Sequence, residues 1–108
     1  MKEYNLYINA SFVESDSRQS FDSINPCNQD IVARIARAGV SDVQKAIRAA
    51  REAFDNGPWP RMPLTERAAF LKAISDKINE RAKELIVLEV DDSGSTIRKA
   101  KEDIFLSA

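Results

Sequence analysis

The spacing of the apolar residues changes near Ser41, and this change limits what the chain can fold into more than any other feature. Before Ser41 the apolar residues fall in short runs, and within Ile31–Ala36 they place Ile31, Ala33 and Ile35 on one face of an extended strand. After Ser41 they recur every three or four residues, which is the period of an amphipathic helix. The sequence therefore predicts short β-strands followed by helices.

The strand region is predicted to extend over about 4–36 and to contain two turns. The first turn is the polar break at Asn9-Ala10, across which two strands can pair, although Ala10 disfavours the positive φ of a tight hairpin. The second turn is at Asn25-Pro26, because proline keeps the preceding residue out of the helical region.

The helical region is predicted to extend over about 42–108 and to hold about four amphipathic helices. Capping residues, glycine and proline mark where these helices begin and end. The boundary residues, in chain order, are Ser41 with Gln44, Gly57 with Pro58, Pro63, Asn79, Ser93 with Gly94, and Thr96. The apolar stripe of the last helix continues to Ala108 without a stop signal. A terminal helix that frays would give this pattern, and so would a helix that lies against a larger body, which is the interpretation we expect.

Composition narrows the class of protein. The chain has 108 residues, which suffices for one small domain, and its 16 basic and 17 acidic residues give a net charge of -1. This balance gives no electrostatic reason to bind nucleic acid or an anionic membrane. Neither a membrane span nor the apolar region of a secretory signal is evident, so we expect a cytoplasmic location.

The only cysteine, Cys27, is a weak candidate for a nucleophile. A reactive thiol needs a neighbouring base, cation or helix N-terminus, and this chain has no histidine. One cysteine without histidine also excludes the usual zinc ligand sets. We therefore interpret Cys27 as an incidental thiol in a surface turn.

The remaining chemical motifs also favour structural roles. Two carboxylate pairs, Asp91-Asp92 and Glu102-Asp103, lie in helical sequence where such pairs are usually solvated. The three glycines are isolated and form no phosphate-binding loop. The residues by themselves thus predict no catalytic and no cofactor-binding side chain in this chain.

Four segments, in this order, carry a resemblance to a known family. They are LYINASFVES, FDSINPCNQDIVARIA, VSDVQKAIRAAREAFDNGPWPRM and PLTERAAFLKAISDKINERAKELIVLEVDDSG. In order and spacing they resemble the beginning of an aldehyde dehydrogenase, from about Tyr4 to Ala108. The departures are Ala10 where the family usually has glycine, Gln29-Asp30 in place of Gly-Glu, and Ser95-Thr96 in place of Lys-Pro.

The resemblance implies an α/β enzyme in which residues 1–108 form the N-terminal part of a Rossmann-like coenzyme-binding domain. Such enzymes oxidise an aldehyde to a carboxylic acid with NAD or NADP, through a cysteine thioester. The nucleophile, the general base and the cofactor loop lie beyond residue 108 of such enzymes, and Cys27 matches a variable turn position. We therefore expect an N-terminal fragment that is inactive alone and binds no cofactor by itself.

The resemblance also implies partners and one metal site. The partners are the remainder of the same enzyme, a small aldehyde substrate and, in the full-length protein, further copies in a homo-oligomer. Many members of the family hold a monovalent cation, and the matching positions here are the backbone carbonyl of Ile24 and the side chain of Asp103. Hard cations prefer such oxygen ligands, and a third ligand would come from sequence outside this chain.

A second hypothesis needs no enzyme. Trp59 and the apolar stripe of the last helix would suit a small helical module that binds another protein, because large aromatic residues are common at the centres of interfaces. A stand-alone interaction module without catalytic activity is therefore the alternative function.

Overall fold

The computed structural model describes residues 2–108 as five short strands followed by four α-helices. The strands are β1 (Lys2–Tyr4), β2 (Leu6–Ile8), β3 (Ser11–Val13), β4 (Ser20–Ile24) and β5 (Ile31–Ala36). The helices are α1 (Val40–Asn56), α2 (Leu64–Glu80), α3 (Ala82–Ser93) and α4 (Ile97–Ser107), and a 3-10 turn, Trp59–Arg61, follows α1. The predicted fold class, strands and then four helices, is confirmed.

These elements divide into two compact units. The first unit contains the chain up to Ser23 together with Ile31–Met62, and the second contains Ile24–Asp30 together with Pro63–Ala108. The turn between β4 and β5 thus belongs to the helical unit, although the chain on both sides of it belongs to the first unit.

The first unit is built on a small sheet. Strand β5 lies in its centre, with β1 on one side and β4 on the other. The pairing of β1 with β5 is parallel and places Lys2 opposite Ala33 and Tyr4 opposite Ile35. Ala33 of this central strand is buried, whereas Ile31 of the same strand is exposed.

Strands β2 and β3 form a separate antiparallel hairpin across the polar break. Tyr7 faces Phe12, and their rings meet edge to face with centroids 5.0 Å apart. The two turn residues, Asn9 and Ala10, have φ angles of 52° and 59°. Two positive φ angles are what a two-residue hairpin of the common type I′ requires, and asparagine tolerates them better than alanine. The predicted strand pairing is confirmed, and Ala10 adopts the conformation that alanine disfavours.

The start of α1 differs from the prediction. The helix begins at Val40 with Gly39 as its N-cap, and the carboxylate of Asp42 accepts the Gly39 N–H at 2.9 Å. Ser41 and Gln44 are therefore not the capping pair. The Ser41 hydroxyl donates instead to Asp16 at 2.6 Å, because Ser41 already lies inside the first turn.

The boundary between α2 and α3 also differs. Asn79 was predicted to start a new helix, but it lies in the last turn of α2 and its amide donates to the Ser75 carbonyl at 3.1 Å. A single residue, Arg81, separates the two helices with φ -99° and ψ 10°. Arg81 is thus the only non-helical residue between α2 and α3.

The last two helix boundaries agree with the prediction. Gly94 ends α3 with φ 71°, a left-handed conformation that suits glycine. Thr96 caps α4, and its hydroxyl oxygen accepts the Lys99 N–H at 3.3 Å.

Little apolar surface is enclosed in the part of the chain that the structure describes. Among its apolar residues only Ala33 and Ala100 are fully buried, whereas nineteen large apolar side chains are exposed, from Tyr4 to Leu106. None of the described helices has the length and apolar character that crossing a membrane requires.

We predict that Ala10→Gly stabilises the β2–β3 hairpin by about 0.5–1 kcal/mol. Glycine avoids the cost of about 1–2 kcal/mol that other residues incur in the left-handed region, and part of this gain is lost to the greater freedom of the unfolded chain. Slower amide hydrogen exchange in β2 and β3 would measure the effect. As a control, Ala50→Gly on the exposed side of α1 should destabilise that helix by about 1 kcal/mol. Faster exchange in the hairpin of Ala10→Gly would contradict the prediction.

Candidate functional site

Cys27 lies in the turn between β4 and β5, and its side chain is exposed. The turn begins at Asn25, whose side-chain oxygen accepts the Cys27 N–H at 2.8 Å. The Asn25 N–H donates to the Asp30 carbonyl at 2.9 Å and closes the turn. Because the chain contains no histidine, no imidazole base within it can activate Cys27.

Gln29 is one of the departures from the family pattern, and it lies in the turn between β4 and β5. Its φ is 66°, and its N–H donates to the Asn25 carbonyl at 2.9 Å. This is the position where the resemblance leads us to expect glycine, the residue for which positive φ costs nothing. Gln29 therefore resembles Ala10, since each occupies a left-handed position of a turn without being glycine.

The turn contacts the end of α3 within the second unit. The side-chain amide of Asn25 donates to Asp91 at 3.5 Å. A Cβ added to Gly94 would come within 2.7 Å of Pro26 Cγ, so the backbone of Gly94 lies directly against the proline ring. Asp91 thus positions a turn, which is a structural role for one of the acidic residues considered above.

The two residues suggested as cation ligands lie in the same unit. Ile24 is the last residue of β4, and Asp103 lies in the middle of α4. The Asp103 carboxylate forms an ion pair with Lys99 one turn earlier. This hydrogen bond and the negative charge of Asp103 raise the pKa of Lys99 above its usual value. Among the residues after Met1, no group of three histidine, cysteine or acidic side chains could hold a metal ion.

A polar cluster at the start of α1 is the feature that the sequence did not predict. Asp42 is only 2% exposed, and its two carboxylate oxygens each lie 3.3 Å from the Asp16 N–H. Because the same carboxylate caps Gly39, it ties the loop after β3 to the first turn of the helix. An acidic residue three positions after a possible N-cap glycine was the available signal.

Asp16 makes the outer part of this cluster. Its carboxylate accepts hydrogen bonds from Lys45 at 2.7 Å and from Ser41 at 2.6 Å. The Lys45 ammonium, helped by the Ser41 hydroxyl, holds the pKa of Asp16 below its usual value. On the sheet, Asp22 accepts from Arg34 at 3.0 Å and raises the pKa of that guanidinium. These pairs order the surface around α1 and the sheet.

Exposed apolar faces are the largest feature that could be functional. Phe105 and Leu106 at the end of α4 are 77% and 81% exposed, although Ala100 of the same helix is completely buried. The predicted stripe of α4 is therefore split, with Ala100 and the half-buried Ile104 facing inward and Phe105 outward. Such faces can bind other protein surface, and they supply no group that forms or breaks a bond.

The comparisons with known proteins agree with one another. The sequence model described as "Aldehyde dehydrogenase family" matches residues 12–108. The chain is 43% identical over 96 residues to aldehyde dehydrogenase 1 of Tanacetum cinerariifolium, which covers 89% of this chain and 19% of that protein. It is 40% identical over 94 residues to 2-hydroxymuconic semialdehyde dehydrogenase of Pseudomonas sp. strain CF600, covering 87% and 19%.

Solved structures give the same result for the fold. An NAD-dependent aldehyde dehydrogenase from Sinorhizobium meliloti superposes with a TM-score of 0.92 at 34% identity, covering 97% of this chain and 21% of that one. A betaine aldehyde dehydrogenase from Staphylococcus aureus in complex with NAD+ superposes with a TM-score of 0.89 at 35% identity, covering 93% and 20%. The chain thus spans about a fifth of the length of each of these four relatives.

We predict that the Asp16 carboxyl titrates below the usual range and that Lys45→Ala returns its pKa towards that range. A lowered pKa in the folded state means that the ion pair stabilises the fold at neutral pH. This stabilisation is lost as the pH falls through the lowered pKa. Carbon-detected NMR titration of the carboxyl group measures both states. Lys72→Ala, which removes the exposed pair with Asp76, is the control and should leave Asp16 unchanged.

We predict that Gly94→Ala destabilises the second unit by about 2 kcal/mol or more, because it combines a positive φ with contact against Pro26. Urea unfolding followed by circular dichroism measures the loss. The Pro26→Ala substitution removes Pro26 Cγ, the atom that the new Cβ at position 94 would contact. Gly94→Ala should therefore cost less stability in the Pro26→Ala background than in the unmodified chain. Equal losses in the two backgrounds would show that the contact with Pro26 is unimportant.

Proposed function

Because this chain belongs to the aldehyde dehydrogenase family, we propose that it is the N-terminal part of an NAD(P)-dependent enzyme that oxidises an aldehyde to a carboxylic acid. The observation that supports this most is the match of the family to residues 12–108 together with the superposition on an aldehyde dehydrogenase at a TM-score of 0.92. The chain would contribute structure to the enzyme, and the reacting groups would come from sequence beyond residue 108.

The position of Cys27 supports the proposal that the reacting groups lie beyond residue 108. A nucleophile for acyl transfer needs an activating neighbour, whereas Cys27 lies exposed in a turn of a chain without histidine. We propose that Cys27 takes no part in the reaction. The cysteine that forms the thioester would lie in the remainder of the enzyme, as would the general base.

We propose NAD as the cofactor, with NADP as the alternative. The Sinorhizobium meliloti relative is NAD-dependent, and the Staphylococcus aureus relative was solved with NAD+. Residues 1–108 would form the first part of the coenzyme-binding domain without holding the cofactor themselves. The absence of a glycine-rich loop in the sequence supports this assignment, because pyrophosphate binding usually relies on such a loop.

We also propose a monovalent cation at Ile24 and Asp103. A backbone carbonyl and a carboxylate are suitable oxygen ligands for a hard cation, and both residues lie in the second unit. Asp103 already pairs with Lys99, so a cation there would share the carboxylate with an ammonium group. The remaining ligands would come from the rest of the enzyme.

Family membership and composition also support proposals about the location, the substrate and the oligomeric state of the enzyme. We propose a cytoplasmic protein whose substrate is a small aldehyde and which forms a homo-oligomer at full length. The near-balance of 16 basic and 17 acidic residues supports the expectation that neither nucleic acid nor an anionic membrane is a partner.

The interaction-module hypothesis is the alternative. Trp59 is partly exposed in the turn after α1, and Phe105 is exposed on α4, as a protein-binding surface would require. Within the family, the same exposure is expected of faces that the rest of the enzyme covers, so family membership favours the enzyme.

The test is to express the complete coding sequence that contains this chain and to assay the product with a panel of aldehydes. We expect formation of NADH or NADPH together with the matching carboxylic acid. The Cys27→Ser variant should retain the activity within about twofold, since Cys27 has no catalytic contact. The 108-residue chain alone should show neither activity nor saturable NAD binding in calorimetry.

Three outcomes would contradict these proposals. Failure to oxidise any aldehyde with either cofactor would exclude the enzymatic function. A coding sequence that yields only a folded monomeric chain of 108 residues would favour the interaction module. Saturable NAD binding by the isolated chain would show that the cofactor loop had been placed wrongly.

A further inference from the structure

Asn56 is followed by Gly57, and this is the one Asn-Gly pair in the sequence. Asparagine is a thermally labile residue, because the backbone nitrogen of the next residue can attack its side-chain carbonyl carbon. Glycine in the next position favours this attack, since it has no side chain to shield the nitrogen and its backbone turns freely. The pair is therefore chemically the most reactive asparagine site of this chain.

The structure places the pair at the C-terminal end of α1. Asn56 is the last residue of the helix and is exposed, and Gly57 follows in an extended conformation. A Cβ added to Gly57 would clash with the carbonyl oxygen of Ala53. This close approach explains why glycine, the residue that makes Asn56 reactive, ends the helix.

Two hydrogen bonds restrain the reacting groups while the helix end is closed. The Gly57 N–H donates to the Ala53 carbonyl at 3.0 Å. The side-chain amide of Asn56 donates to the Glu52 carboxylate at 2.7 Å. Attack by the Gly57 nitrogen requires both groups to be released, so the reaction depends on opening of the last turn of α1.

The charges near this turn favour its opening. Residues 53–56 include no basic side chain, and the acidic residues Glu52 and Asp55 lie near the helix C-terminus, where the helix dipole favours positive charge. Two arginines oppose the opening, since Arg51 pairs with Asp55 and Arg61 donates to the Asp55 carbonyl at 3.3 Å. Helix ends open locally at a small cost in free energy, far below that of global unfolding.

We propose that Asn56 is a site of spontaneous deamidation and that opening of the last turn of α1 sets its rate. The Gly57 nitrogen forms a bond to Cγ of Asn56, the Cγ–Nδ2 bond breaks, and ammonia leaves with the proton of the Gly57 N–H. Water then opens the succinimide ring at either carbonyl and gives aspartate or isoaspartate. The reaction consumes one water, releases one ammonia and needs no oxidant or reductant, and it is independent of the proposed enzymatic function.

The product changes the helix end that produced it. A carboxylate at position 56 loses the amide that donates to Glu52 and lies beside two acidic side chains at the C-terminus of α1. Like charges one turn apart and negative charge at this end both destabilise a helix. Deamidation therefore loosens the last turn of α1, next to the turn that contains Trp59.

The experiment incubates the protein made from the complete coding sequence that contains this chain, at neutral and at raised pH, and then maps its tryptic peptides by mass spectrometry. Peptide 52–61 contains Asn56 as its only asparagine, and peptide 78–81 contains Asn79, which also lies in the last turn of a helix but precedes Glu80. We expect peptide 52–61 to give two products heavier by the difference between a hydroxyl and an amino group, with peptide 78–81 unchanged.

The rate should rise with hydroxide concentration, because the attacking nitrogen must lose its proton. A synthetic peptide with the sequence of residues 52–61 shows how fast the unrestrained pair reacts. If this peptide converts while the same segment of the folded protein stays unmodified, the helix end remains closed and the proposal is wrong.

Two matched variants test the dependence on opening. Ala53→Gly weakens the last turn of α1 at an exposed position, and it should raise the rate of deamidation by up to about fivefold. Ala69→Gly makes the same change at an exposed position of α2 and should leave the rate unchanged. Equal rates in both variants and in the unmodified protein would show that opening of this turn does not control the reaction.

The effect of the product is measured with Asn56→Asp, which has the new carboxylate, and Asn56→Gln, which keeps a neutral amide. Amide hydrogen exchange in the last turn of α1 should be about two- to fivefold faster in Asn56→Asp than in Asn56→Gln. Equal exchange would contradict the inferred loosening of the helix end.

Discussion

The hydrophobic effect is the constraint on which the rest of this structure depends, because the chain has more apolar surface than it can cover. Each large apolar side chain contributes about 1.5–3 kcal/mol to stability when it is buried. Among residues 2–108 the buried apolar residues are two alanines, whereas Ile47, Phe54 and Phe105 remain exposed. The regular spacing of apolar residues along α1, α2 and α4 therefore leaves apolar faces exposed, and under the proposed function the rest of the enzyme would cover them.

Local polar contacts define where the elements begin and end in the absence of a large core. Asp42 caps α1 and holds the preceding loop, Thr96 caps α4, and Asn25 closes the turn and reaches Asp91. A capping interaction of this type contributes about 1 kcal/mol, which is small compared with the apolar surface still exposed. Such contacts select one local conformation without supplying most of the stability.

The order of elements was predictable, and several side-chain roles were not. The change of apolar period gave the strands and the four helices, and Gly94 and Thr96 were identified as boundaries because their conformations depend on local chemistry. The capping role of Asp42 had a local signal, an acidic residue three positions after Gly39, whereas no local pattern records its contact with the Asp16 N–H 26 residues away. Asn79 was misassigned because the break at Arg81 lacks the glycine or proline that usually ends a helix. The buried Nε–H of Arg67, which has no hydrogen-bond partner among residues 2–108, could be found only from coordinates.

The assignment of the turn at Ile24–Asp30 to the helical unit has a consequence for synthesis on the ribosome. The two residues of the Asn25–Asp91 contact are 66 positions apart, so the turn leaves the ribosome long before the helix it rests on. At about 5–20 residues per second, the delay is about 3–13 s. Throughout that interval the hydrogen bonds of nascent β4 and β5 must keep the turn in its folded conformation. Otherwise the unfolded turn is exposed to chaperones before α3 has been synthesised.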